Sequence, residues 1–295
     1  MQNKTRSLIQ INIAVLLFGV AGLFGKFLTT PAIGLVFGRT LFGALALALI
    51  LVWKKERLAF KTGKEYVVFF MLGAILAVHW STFFYSIQIS TVAIGLLTYS
   101  TFPIFVTFLE PAILREPLKK RDLLIALVVF SGLILIIPEY DLKNNITLGV
   151  LWGTLSGLLF ALLSVLNRKY VQQHSAVTIA FYQNGFACLC TLPFAFMINA
   201  SVLLHDFFYL LFLGIFCTAL SHTLFIQSMT RLKAQLASVI AALEPVYGII
   251  LAILLLGEFP NLRTLLGGIV ILAAVIYASM NSSTASSEGI HNEIR

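Results

Sequence analysis

The sequence predicts an all-α membrane protein with ten transmembrane helices arranged as two inverted five-helix repeats. Three observations carry that prediction. The chain is strongly apolar, its basic residues sit on one side of an alternating series of apolar runs, and one stretch is echoed by another at a fixed separation.

The 295 residues are 59% hydrophobic and 11% charged, with a mean hydropathy of +0.97. Soluble domains carry about 25% charged residues. A chain of this length has too little polar surface to cover so much apolar surface, so lipid is its natural solvent. The formal net charge of +8 does not point to nucleic acid, because the basic residues fall in short clusters between apolar runs. Cys188, Cys190 and Cys217 lie inside apolar segments, lack zinc-type spacing and read as buried small hydrophobes. Positions two apart on a helix face different ways, which argues against a Cys188–Cys190 bridge.

Ten runs long enough to span a bilayer are predicted at 8–28, 34–53, 66–87, 92–113, 122–138, 146–166, 177–199, 206–229, 234–256 and 263–281. The first resembles a signal peptide but is too long and lacks a small-residue cleavage site. The polar stretch 282–295 reads as a disordered cytoplasmic tail. One set of connections holds Lys4, Arg6, Lys54, Lys55, Arg57, Lys61, Lys64, Arg115, Lys119, Lys120, Arg121, Arg168, Lys169, Arg231, Lys233 and Arg295. The alternate set holds only Lys143 and Arg263. The positive-inside rule then places both termini in the cytoplasm of a cell whose inner (plasma) membrane holds the chain.

The echo is an internal repeat. Pro103 and Pro245, Glu116 and Glu258, and Arg121 and Arg263 are each 142 residues apart. The repeat unit is therefore five spans, at 1–141 and 142–281, and an odd number of spans inverts the second copy. Two inverted halves around a midplane site is a plan of secondary transporters.

On these residues the chain resembles the EamA-like family of the drug/metabolite transporter superfamily. The matching features are "PVYGIILAILLLGE" in span 9, "PIFVTFLEPAILRE" in span 4 and the arginine of "FGRTLF" in span 2. Span 4 departs from the pattern in having Arg115 before its closing glutamate, and in carrying Glu110. The resemblance implies movement of small metabolites through a central cavity, often export of amino acids or related compounds. Import is the alternative direction.

Charged groups inside a bilayer cost about 2.5–3.5 kcal/mol each on insertion scales, so each needs a reason. Glu244 sits roughly 15 Å deep, next to Pro245, which frees a carbonyl one turn earlier. It is expected either to bind a cation, a substrate amine or a proton, or to pair with Arg39 for packing. Arg39, about 7–8 Å below the outer end of span 2, is expected to hold a substrate carboxylate or to clamp Glu244. His79 and His222 occupy near-equivalent repeat positions and suit proton relay or hydrogen-bonded packing. Trp80, Tyr85, Tyr99, Tyr182 and Gln183 are deep enough to line a cavity. Pro103, Glu110, Glu116, Pro245 and Glu258 read as gating or structural residues, with Glu110 neutralised by Arg115 or Lys119. Lys26 is expected to snorkel outward. The glycine series Gly19, Gly22, Gly25, then Gly34, Gly38, then Gly149, Gly153, Gly157 fits close helix packing.

No nucleotide-binding loop, H-E-x-x-H or other catalytic motif stands out, so neither an enzyme nor a cofactor is expected. An intramembrane enzyme and a non-transporting scaffold are the competing classes. The expected partners are the lipid bilayer and a small-molecule substrate, with proton coupling left open, in a monomer or homodimer. A cysteine introduced at Asn144 is expected to react with an impermeant reagent added outside intact cells, and one at Lys61 to stay protected. The reverse pattern would overturn the orientation.

Overall fold

In hydrocarbon no water is present to bond backbone groups, so an apolar run this long must satisfy its own amides by forming helix. The computed structural model describes residues 2–56, 62–114, 120–137, 141, 143–274 and 277. Among the described residues every regular element is helical: α1 (Gln2–Phe27), α2 (Ala32–Trp53), α3 (Gly63–Ile89), α4 (Val92–Tyr99), α5 (Phe102–Leu114), α6 (Lys120–Ile136), α7 (Asn145–Tyr170), α8 (Ala176–Ala195), α9 (Ala200–His205), α10 (Phe207–Gly214), α11 (Ser221–Ser228), α12 (Ala234–Ala241), α13 (Glu244–Leu256) and α14 (Leu262–Ala274). A π-helical segment, Ile215–Leu220, joins α10 to α11.

Eight stretches are long and apolar enough to cross a membrane, and they correspond to expected spans 1–4 and 6–9. The two others expected, 122–138 and 263–281, coincide with shorter apolar helices, Leu124–Ile136 and Leu262–Ala274. Span 7 ends earlier than expected, at Ala195, and the chain then turns into the unanticipated α9. Asn199 caps that helix by accepting from Ser201 N at 3.1 Å.

Expected spans 4 and 9 are each divided. Span 4 breaks at Ser100–Thr101 between α4 and α5, and span 9 at Ala242–Leu243 between α12 and α13. The cause is proline: Pro103 and Pro245 bring no N–H to the preceding turn. Hydroxyls take up carbonyls around the first break. Ser100 Oγ donates to Leu97 O, and Thr101 Oγ1 to Thr98 O, each at 2.7 Å. The two breaks lie 142 residues apart, as the prolines do.

The packing is close where glycine permits it. α7 lies against α3, α4 and α5, while α1 lies against α11 and α13. A Cβ added at Gly157 of α7 would come within 2.8 Å of Tyr99 O, the last carbonyl of α4. A Cβ at Gly19 would meet Glu244 O and Gly248 N at 3.2 and 3.1 Å. Both glycines thus let a neighbour's backbone approach next to a broken span. On the outside, Trp53, Phe196, Phe208 and Leu254 stand exposed, an apolar surface suited to lipid.

At the loops the polar residues find specific partners. Lys26 Nζ, expected to reach outward, donates to Ser90 O at 2.7 Å and Gln88 O at 3.3 Å, where α3 ends with open carbonyls. Asp206 is fully buried and accepts from Thr30 N and Thr30 Oγ1 at 2.9 and 2.7 Å, fastening the α1–α2 loop to the start of α10. Gly157→Ala forces Tyr99 to shift. It is expected to cost about 1–3 kcal/mol, read as a lower thermal midpoint of the purified protein in detergent.

Candidate functional site

The broken spans and the helices around them enclose one small cavity. Its walls come from Phe18 and Ala21 of α1, Arg39 of α2, His79, Trp80 and Phe83 of α3, Tyr99 of α4, Phe160 of α7, His222 of α11 and Glu244 of α13. Tyr99 is the last residue before one break and Glu244 the first after the other.

Arg39 is only 2% exposed, and the protein holds it firmly. Its Nε donates to Thr218 Oγ1 at 2.8 Å and its Nη2 to Cys217 O at 2.9 Å. Its guanidinium lies over the Trp80 ring, 3.9 Å from the centroid. Such contacts are worth about 0.5–2 kcal/mol each when desolvated. The π segment makes this anchor possible. In a regular α-helix Ser221 N would bond Cys217 O, but here it bonds Phe216 O and Thr218 O. The Cys217 carbonyl is thereby turned over to the arginine.

Glu244 is 3% exposed, and its Oε2 has no hydrogen-bond partner. The expected clamp between Arg39 and Glu244 is not formed. Both face the same cavity, but the arginine's bonds go to the π segment.

The histidines are bonded to the walls. His79 Nδ1 lies 2.8 Å from Ser156 Oγ, and its ring stacks on Phe160 with centroids 5.0 Å apart. His222 Nε2 lies 2.8 Å from Gln183 Oε1, and Gln183 Nε2 donates to Asn167 Oδ1 at 2.5 Å. Gln183 therefore stands behind His222 and is not part of the cavity wall.

Two expected lining residues lie elsewhere. Tyr85 is 43% exposed and meets Trp152 edge-on. It follows Phe83 by two positions, which turns it to the opposite side of α3. Tyr182 packs among Tyr66, Phe69 and Phe186, away from the cavity. Conversely, Phe18, Phe83 and Phe160 line the cavity without having been singled out. In a chain with 25 phenylalanines, no local signal separates these from the rest.

The span-end carboxylates have partners across the repeat. Glu110 is buried and pairs with Arg168 of α7; Arg115 and Lys119, the partners expected from the sequence, lie outside the described residues. It also accepts from Ala234 N at 3.2 Å and Gln235 N at 3.1 Å, the first amides of α12. Glu258 Oε1 accepts from Val92 N at 2.7 Å, the first amide of α4. Glu116 lies outside the described residues.

A multi-pass helical bundle with a buried polar cavity at the junction of interrupted helices defines a membrane carrier. The chain belongs to the EamA-like transporter family, which matches it at residues 5–137 and again at 147–280, and it is a membrane transporter of that type. It is similar to an uncharacterized transporter of Bacillus subtilis strain 168, with 26% identity over 93% of this chain and 89% of the relative. It is also similar to an S-adenosylmethionine uptake transporter of Rickettsia bellii, with 23% identity over 86% of each chain. A protein of known crystal structure shares the fold with a TM-score of 0.65 at 15% identity, covering 94% of this chain and 98% of that one.

Thr218→Val keeps the shape but removes the acceptor for Arg39 Nε. Leaving a buried charged donor unmatched is expected to cost about 1–3 kcal/mol, measured as a lower thermal midpoint.

Proposed function

We propose that the protein is a secondary carrier that moves amino acids or related small metabolites through this cavity by alternating access, with export as the working direction. It is a transporter without enzymatic activity, inserted in the inner (plasma) membrane with both termini cytoplasmic. Ten spans form two inverted halves, 1–141 and 142–281. The observation that carries this reading is the cavity itself. It lies beside the two broken spans, and it holds Arg39 together with Glu244, whose Oε2 has no hydrogen-bond partner.

Several features support the inverted arrangement. The family matches the chain in two successive ranges. The packing is also reciprocal: α7 meets α3 and α5 as α1 meets α11 and α13, and α8 meets α3 as α2 meets α10 and the π segment. The end contacts follow the same exchange. Val92 and Ala234 are 142 residues apart, and each helix start is capped by a carboxylate near the far end of the other broken span.

These caps act as gates. A carboxylate at a helix N-terminus gains from the free amides and the helix dipole, typically 0.3–1 kcal/mol and up to about 2 kcal/mol when partly buried. Each gate is thus strong enough to bias which end opens and weak enough to break during a cycle. Pro103 and Pro245 supply the joints, because half of each broken span can tilt while the other half stays packed. Glu116 belongs with this gating set. His79, Trp80, Tyr99 and His222 complete the binding surface around Arg39 and Glu244.

Uptake is the second reading, favoured by the similarity to the S-adenosylmethionine uptake transporter of Rickettsia bellii. Purified protein in proteoliposomes preloaded with an unlabelled amino-acid mixture is expected to accumulate labelled amino acid by counterflow. Absence of any counterflow with inserted, folded protein would overturn the carrier reading. In cells, a lower steady-state substrate level on expression marks export, and a higher one marks uptake. Glu258→Gln removes the charge that caps Val92. It is expected to raise several-fold the outside labelling of a cysteine at Ala21, in a background whose native cysteines are replaced. Unchanged labelling would remove Glu258 from the gate.

A further inference from the structure

The polar groups of the cavity are not equally committed. Arg39 spends its Nε and Nη2 on Thr218 and Cys217 and one face on Trp80. His79 is bonded to Ser156 and His222 to Gln183. Glu244 is the contrast: it is almost fully buried, it lines the same cavity, and its Oε2 is bonded to nothing. Among the described residues no cation is in direct contact with it; Arg39 faces it across the cavity and acts on it through space without a bond.

The rest of the wall suits a positive charge. Phe18, Phe83, Tyr99 and Phe160 bring aromatic rings to the cavity, with Tyr99 5.3 Å from Phe83 and 5.4 Å from Phe160 between centroids. Ring faces carry negative potential and attract cations, the more so away from water. A buried carboxylate without a partner is penalised by low dielectric, and an entering cation removes that penalty. An entering anion would add a second negative charge beside the first. Its natural partner, Arg39, is already held against the wall by bonds to another helix.

We infer that the obligatory recognition element of the cargo is a cationic group, an ammonium or other small onium, seated on Glu244 inside this aromatic enclosure. A carboxylate on the cargo is tolerated and not required. Arg39 acts as a positioning residue that orients Trp80 and the π segment. This inference rests on the reading of the cavity as the transport site and narrows its substrate class.

The test compares three probes of one shape and different charge: phenethylamine, 2-phenylethanol and 3-phenylpropionate. Binding to the full-length protein in detergent is followed by tryptophan fluorescence, since Trp80 lines the cavity. Phenethylamine is expected to bind at least tenfold more tightly than the other two. This comparison uses the unmodified protein and needs no variant to fold. In Glu244→Gln, with its thermal midpoint checked, the amine is expected to lose that advantage while 2-phenylethanol binds as before. Equal or tighter binding of 3-phenylpropionate, no binding of the amine by folded protein, or an unchanged preference in Glu244→Gln would each overturn the inference. Proteoliposome flux separates it from the carrier reading. Amine binding with the expected preference but no flux of any amino acid leaves the cation site standing and removes transport. Flux of carboxylates without amine binding does the opposite.

Discussion

A helix that stops in the middle of a membrane leaves amides and carbonyls that no water can reach, and the structure is organised around meeting that demand. Pro103 and Pro245 create the demand in spans 4 and 9. Near the first break it is met by Ser100 and Thr101 and by the glycine face of α7. Near the second, Gly19 lets α1 approach the carbonyl of Glu244 closely. The cavity is what remains between two interruptions that pack against continuous helices. Its position follows from where the prolines stand.

Charge is handled by the same logic. Among the described residues, buried ionic groups are bonded by groups from a different part of the chain, with Glu244 Oε2 the contrast. Asp206 holds the threonines of the first loop, Glu110 and Glu258 hold the starts of α12 and α4, and Arg39 holds a carbonyl displaced from its own helix. These contacts tie distant helices together and leave Glu244 Oε2 without a hydrogen-bond partner at the cavity.

Much of this was legible in the sequence, for identifiable reasons. Apolar run length marks spans directly, and the proline echo marked both breaks. Arg39, Glu244, His79, Trp80, Tyr99 and His222 stood out because polar or amphipathic residues deep in a span are rare and must face inward. Tyr85 and Tyr182 satisfied the depth criterion but not the rotational one, since a residue one or two positions from an inward side chain points elsewhere. The partners of Glu110 and Lys26 were missed because both are main-chain or side-chain groups from distant segments, and neighbours in sequence suggested nearer ones. The π segment left only a one-residue slip in the histidine spacing, which does not by itself name its cause. It shows in the structure as a diverted amide.

That segment also explains a small irregularity. The two cavity histidines are 143 residues apart, whereas the prolines and the span-end glutamates are 142 apart. A wide turn of this kind accommodates one more residue than the α-helix it interrupts. Span 8 carries it between Gly214 and Ser221, upstream of His222. The surplus residue is absorbed locally, as an accordion fold in the helix. His222 and His79 line the same cavity, and one residue fewer separates His222 from Pro245 than separates His79 from Pro103, which restores the 142-residue spacing. The numbering mismatch between the histidines is thus the length of one residue stored in a single turn, and the hydroxyl and carbonyl that turn exposes are the ones that hold Arg39.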